Sequence, residues 1–102
     1  KTYVVLPDGG RYDTLLLAPL SVLRGYRNAG VGSALVQAGL RIARTMGYRS
    51  VFLVGEPDYY RRFGFKLSHL YGISHESLPA EYVQTVELVP SALAGITGRI
   101  KM

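Results

Sequence analysis

Apolar residues along this chain alternate at first, then recur at helical spacing, then run together. Lys1–Leu6 (KTYVVL) is a short β-like run closed by Pro7-Asp8-Gly9-Gly10, a strong turn sequence. Thr14–Leu17 continues as a second apolar strand, interrupted at Pro19 and resumed at Ser21–Leu23. Proline cannot donate to a ladder, so Pro19 predicts an edge, a bulge or a splayed strand. The first two strands are expected to form an antiparallel hairpin.

From Gly30 the period changes. Val31, Ala34, Leu35, Ala38, Ile42 and Met46 recur at helical spacing, while Ser33, Gln37, Arg41 and Arg44 fall elsewhere on the wheel. Arg41 and Arg44 suit the carboxyl end of a helix, and Gly47 is a natural residue to end it. Ser50–Val54 is a continuous apolar run of the buried-strand kind. Strand, helix and strand in that order predict a βαβ unit with two parallel strands. Gly55-Glu56-Pro57 opens a shorter second helix, with Pro57 where a missing N–H costs least, and Gly64 ends it. Phe65–Leu67 begins another strand. Ser68–Ala80 is expected to be a polar loop holding both histidines, Tyr82–Val89 a half-buried strand, and Ser91–Met102 a turn with a last short strand. The predicted class is α/β with a mixed α+β sheet, in one domain.

Composition narrows the chemistry. The 102 residues support a single domain, and 48% hydrophobic residues with a mean hydropathy of +0.14 exclude a disordered chain. There is no cysteine, which excludes a disulfide scaffold, a thiolate metal site and a cysteine nucleophile, and two histidines argue against any metal site. The longest apolar stretches, Thr14–Leu23 and Val51–Val54, are too short to span a bilayer, and no signal peptide is visible, so a cytoplasmic protein without membrane partners is expected. Twelve basic against seven acidic residues, a net charge of +5, favour an anionic partner.

The charge and the glycines meet in RGYRNAGVGSAL, Arg24 to Leu35. A flexible connection before a helix is the plain reading of such a stretch. Two phosphate motifs fail here. Val31 stands where the lysine of a G-x-x-x-x-G-K-[ST] loop belongs, and Leu35 occupies the last glycine position of G-x-G-x-x-G. What survives is R-x-x-G-x-G, formed by Arg27, Gly30 and Gly32 directly before a helix. A helix N-terminus offers free N–H groups and partial positive charge to an anion. Glycines at 30 and 32 remove the Cβ atoms that would hold a diphosphate away, and Arg24 and Arg27 add full charges.

This motif, after an apolar strand, resembles the acetyl-coenzyme A pyrophosphate loop of the GNAT (Gcn5-related) N-acetyltransferase superfamily. LLLAPLSVLRGYRNAGVGSALVQAGL is similar to that family's fourth strand and third helix, and GEPDYYRRFGF to its short helix and following strand. The likeness is strong from Leu15 to Phe65. It implies a GNAT-like fold whose carboxyl-terminal portion is present here: hairpin, splayed strand, helix, parallel strand, short helix and further antiparallel strands. It also implies an acyltransferase that uses acetyl-CoA as cosubstrate, with no metal.

By the resemblance, Leu20, Ser21 and Val22 offer backbone groups to the pantetheine arm, with a backbone N–H near Leu20 meeting the thioester oxygen. Backbone N–H groups of Arg27, Asn28, Ala29, Gly30, Val31, Gly32 and Ser33 hold the pyrophosphate. Tyr60 falls at the family's general-acid position, and Tyr59, about 100° away on a helix, is expected to pack. The general base is unassigned. Leu15-Leu16-Leu17-Ala18 contains no acid, Glu56 reads as a helix cap, Asp13 lies beside a turn, and His69 and His75 read as solvated loop residues.

The family usually places a strand, two helices and two more strands ahead of the point where this chain starts. A domain truncated at its N-terminus is therefore expected, with apolar surface at Leu15–Leu17 left for a second copy, a swapped segment or a missing N-terminal segment. The acceptor is expected to be a small-molecule or peptide amine. Two rivals stand beside this reading: a degenerate GNAT domain that binds coenzyme A without catalysis, and a small basic nucleic-acid-binding module. Arginines scattered over several elements, with no nucleic-acid motif, argue against the second.

Overall fold

A computed structural model describes residues 2–17 and 31–102 of the chain, with side chains for 2–17 and 34–102. β1 (Thr2–Val5) and β2 (Arg11–Leu16) form the expected antiparallel hairpin, Val4 opposite Tyr12. Its turn is closed by Leu6 N–H to Gly10 O at 2.8 Å, and Asp8 Oδ1 accepts from Gly10 N–H at 2.8 Å. β2 starts at Arg11, earlier than its apolar run, because Arg11 and Asp13 project from the exposed side of the hairpin and carry no hydrophobic signal.

β3 (Ser50–Val54) pairs with β2 in parallel, Leu16 opposite Phe52. β6 (Val83–Glu87) lies antiparallel on the far side of β3 and holds the two-residue β4 (Lys66–Leu67). β7 (Gly98–Lys101) pairs antiparallel with β1, and β5 (Ile73–Ser74) runs parallel to β7. Among the described residues these strands make one mixed sheet in the order β4-β6-β3-β2-β1-β7-β5. Two strands exceed the pattern reading. Val83, Gln84 and Thr85 are buried in succession rather than alternating, because β6 is covered on both faces. The Ser68–Ala80 loop contains a 3-10 turn, Ser68–Tyr71, and then β5, too short for periodicity to register.

The sheet has a core on each face. Val4, Phe52, Ile73, Val83, Leu93 and Ile100 make the first; Val36, Ala43, Val51, Leu53, Phe65 and Leu88 make the second, under the helix. Each large apolar side chain so buried stabilises the fold by about 1.5–3 kcal/mol relative to exposure. Buried hydroxyls between the strands are satisfied. Thr14 Oγ1 bonds Ser50 O at 2.8 Å, and Thr85 Oγ1 donates to Val51 O at 2.9 Å, so the polar groups fix the register of β2, β3 and β6.

α1 (Val31–Thr45) ends as the glycine predicts. Gly47, at φ 89°, donates to Arg44 O at 3.0 Å, and Tyr48 N–H reaches Ala43 O at 3.0 Å. Which stripe the helix buries differs from the expected one. Val36 and Ala43 are buried with Leu40 packed beside them, while Leu35, Ile42 and Met46 are 41%, 58% and 62% exposed. The small residues decide it. A Cβ at Gly39 would fall 2.8 Å from Leu17 Cδ1, so the glycine lets this face approach the sheet closely. Leu15 and Leu17 are partly buried against the helix core. Among the described residues the outer face of α1 is exposed and apolar, and there Ala38, Arg41, Ile42, Thr45 and Met46 line a shallow groove of about 400 Å³.

Tyr71 packs against the first core, and burial, followed by the charge of Glu87, raises its phenol above the usual range. Its stabilising share is complete below the ordinary phenol value and is lost as pH climbs through the higher native one. Tyr71→Phe is thus expected to flatten the fall in urea stability between about pH 9 and about pH 11 relative to wild type, measured by denaturation at each pH.

Candidate active site

Two parallel strands and a helix N-terminus define one end of the sheet. The β2–β3 ladder closes with Leu17 N–H donating to Phe52 O at 2.8 Å, and α1 begins at Val31. In open α/β arrangements ligands favour the crevice outside the carboxyl ends of parallel strands. The predicted pantetheine contacts Leu20, Ser21 and Val22, and the pyrophosphate residues Arg27, Asn28, Ala29 and Gly30, lie outside the described residues. Val31, Gly32 and Ser33 form the first turn of α1, the position at which free N–H groups are presented.

β3 leaves the sheet into Gly55, and α2 (Pro57–Tyr60) follows at once, continued by a 3-10 turn, Arg61–Phe63, that Gly64 closes. Glu56 is the N-cap residue and Pro57 opens the helix, as the sequence implies, yet the Glu56 side chain makes no capping hydrogen bond. Asp58 supplies the acid of the first turn and pairs with Arg61 on the exposed face.

Tyr60 points back toward the protein. Its ring is half-buried against the second core, 6.2 Å from the Phe65 ring and 6.3 Å from that of Phe63. A Cβ at residue 55 would lie 2.7 Å from Tyr60 Cε2, so the ring's seat exists because residue 55 is glycine. Tyr59 stands edge-on to Tyr60 at 4.9 Å and to Phe63 at 5.7 Å, and the Arg62 guanidinium covers its ring at 4.5 Å. Tyr60, unlike Tyr59, packs against the second core.

The remaining sequence candidates are spread out. Asp13 is exposed on β2, opposite Tyr3. His69 is exposed in the 3-10 turn. His75 Nδ1 accepts from Ser77 N–H and Leu78 N–H at 3.0 Å each, which makes that imidazole a cap for its own loop. Among the described residues no group of three or more His, Cys, Asp or Glu side chains could hold a metal, and no helix is long and apolar enough to cross a membrane. Sequence reading anticipated neither the seat that Gly55 makes for the Tyr60 ring nor the bond from Gln84 to the Gly55 carbonyl; a glutamine inside an apolar strand was the available signal.

The architecture is thus a mixed α+β domain whose parallel strands β2 and β3 are joined through α1. Comparison with known proteins agrees in detail. The model of the acetyltransferase (GNAT) family matches residues 2–65. The uncharacterized N-acetyltransferase YhbS of Escherichia coli K12 is 34% identical over 91 residues, 83% of this chain and 52% of YhbS. YjhQ, an uncharacterized N-acetyltransferase of the same strain, is 43% identical over 51 residues, 50% of this chain and 28% of YjhQ. The crystal structure of the GNAT family N-acetyltransferase YhbS from Escherichia coli in complex with CoA matches with a TM-score of 0.74 and 32% identity, covering 87% of this chain and 51% of that one. The chain belongs to the GNAT acetyltransferase family and carries its fold. It spans about half the length of YhbS and under a third of that of YjhQ.

Proposed function

We propose that this chain binds acetyl-CoA and transfers its acetyl group to a primary amine by direct attack. What supports the reading is the parallel β2–β3 pair joined through α1 and the α2 tyrosine seated on Gly55, in a family member whose structural neighbour is a GNAT N-acetyltransferase in complex with CoA. The pyrophosphate rests on the glycine-rich turn, from Arg27 to Ser33, and the pantetheine arm runs along Leu20, Ser21 and Val22. The free amine attacks the thioester carbonyl, and a backbone N–H near Leu20 stabilises the oxyanion. The C–S bond then breaks, the sulfur takes the Tyr60 phenol proton, and the amine gives up its own proton to water. The acceptor is a small-molecule or peptide amine, and the protein works in the cytoplasm.

Calorimetric titration with acetyl-CoA and with CoA, beside an oligonucleotide, tests the first half of this reading. Thiol release from acetyl-CoA in the presence of a polyamine, an aminoglycoside and a peptide with a free N-terminus tests the second. Binding of both coenzymes with thiol release for at least one amine is the expected result. Neither coenzyme binding overturns the reading. Binding without thiol release favours a domain that keeps the donor site and has lost catalysis, a reading to which the absence of acid from Leu15-Leu16-Leu17 lends weight.

A further inference from the structure

We infer that Gln84 is a positioning residue for Tyr60, acting through the Gly55 peptide; this rests on the reading of Tyr60 as the acid. Gln84 is 1% exposed, in a strand position where an apolar side chain would ordinarily serve. Its backbone pairs with Leu53 on one side and Leu67 on the other, so β6 fixes it between β3 and β4.

The side chain has a specific task. The backbone register of β3 and β6 runs out at Val54 opposite Val83, and beyond it Gly55 N–H donates to Tyr82 O at 3.0 Å. The Gly55 carbonyl points at no backbone donor of β6. Gln84 Nε2 donates to it at 2.8 Å, with Tyr82 O 3.5 Å away. The residue just past the sheet is therefore held at its N–H by Tyr82, immediately before β6, and at its carbonyl by Gln84 within β6.

That grip sets where α2 begins. Glu56 follows Gly55 directly, and its carbonyl accepts from the N–H groups of Tyr59 and Tyr60, each at 3.2 Å. Gly55 also forms the seat of the Tyr60 ring, the future Cβ direction falling 2.7 Å from Cε2. Holding the residue 55 carbonyl thus holds both ends of the arrangement: the start of the short helix and the surface on which its tyrosine lies. A helix of four residues has little rigidity of its own, so an anchor at its entry governs the direction of its last side chain. Catalytic groups need such support to stay in productive geometry.

The test uses protein labelled at tyrosine Cζ, with the Tyr60 resonance assigned through Tyr60→Phe. Gln84→Leu keeps the volume and removes the donor. It is expected to shift or broaden the Tyr60 resonance and to lower thiol release about tenfold at saturating acetyl-CoA, with KM for acetyl-CoA within about twofold. Gln84→Glu can donate to the Gly55 carbonyl only while protonated. Its rate relative to wild type should therefore be highest at low pH and decline as the carboxyl ionises. A folded Gln84→Leu protein with an unmoved Tyr60 resonance overturns the inference, and so does a Gln84→Glu ratio that ignores pH. A moved resonance with no change in rate, together with a fully active Tyr60→Phe, upholds the anchor and overturns the acid role instead.

Discussion

Gly32→Glu is expected to weaken acetyl-CoA and CoA binding by at least about a hundredfold, some 2.7 kcal/mol, in a calorimetric titration. Residue 32 stands in the first turn of α1. In the proposed binding mode a diphosphate is attracted there by the N–H groups of the first turn and the positive end of the helix dipole. A glutamate adds bulk where the anion must approach and places a negative charge in competition with it. The same change should not harm the fold. Glutamate is a better helix former than glycine by up to about 1 kcal/mol, and an acid in the first turn complements the dipole. α1 has no acid in that turn, so nothing of like charge opposes it there. Loss of affinity with an unchanged or raised melting temperature would therefore isolate the effect to the ligand. Gly32→Ala, which adds a methyl without charge, should fall between the two. Unchanged affinity in the glutamate variant would remove the turn from the coenzyme site.

Tyr60→Phe should slow acetyl transfer by about a hundredfold or more while leaving acetyl-CoA affinity within about twofold. The phenylalanine keeps the contacts that seat the ring, against Phe63, Phe65 and the bare Cα of Gly55. Only the hydroxyl is lost. If that proton goes to the leaving sulfur, the effect appears in kcat and not in the binding of the donor. Calorimetry on the variant beside steady-state thiol release separates the two. A variant with the full rate would confine Tyr60 to packing. Tyr59→Phe, altering a ring covered by the Arg62 guanidinium, should leave the rate near that of wild type.

Much of the fold is legible in the residues because the signals are local. The hairpin follows from a Pro-Asp-Gly-Gly turn between two apolar runs, and the α1 stop from Gly47. The parallel β3 follows from a strand–helix–strand order that permits little else. The start of α2 is equally local, since Pro57 has a favoured place and Gly55 and Gly64 bracket the element. Where the reading erred, two local answers were nearly equal. α1 carries apolar residues on two stripes, and counting them favours Leu35, Ala38, Ile42 and Met46. The buried stripe is the one whose small residues admit Leu17 and the sheet. That preference concerns the shape of a distant partner, which no periodicity in the helix records.

The site divides along the same line. From the residues by themselves come two expectations, an anion site at Arg27, Gly30 and Gly32 before a helix and one inward-facing tyrosine of an adjacent pair, because charge, backbone freedom and helical angle are properties of short segments. Tertiary structure alone decided that Tyr60 lies on Gly55, and that Gln84, 29 residues further along, bonds the Gly55 carbonyl. Those contacts exist because β6 folds back beside β3. The donor left over at the end of one strand then meets the acceptor left over at the end of another, a meeting set by register and distance rather than by either segment.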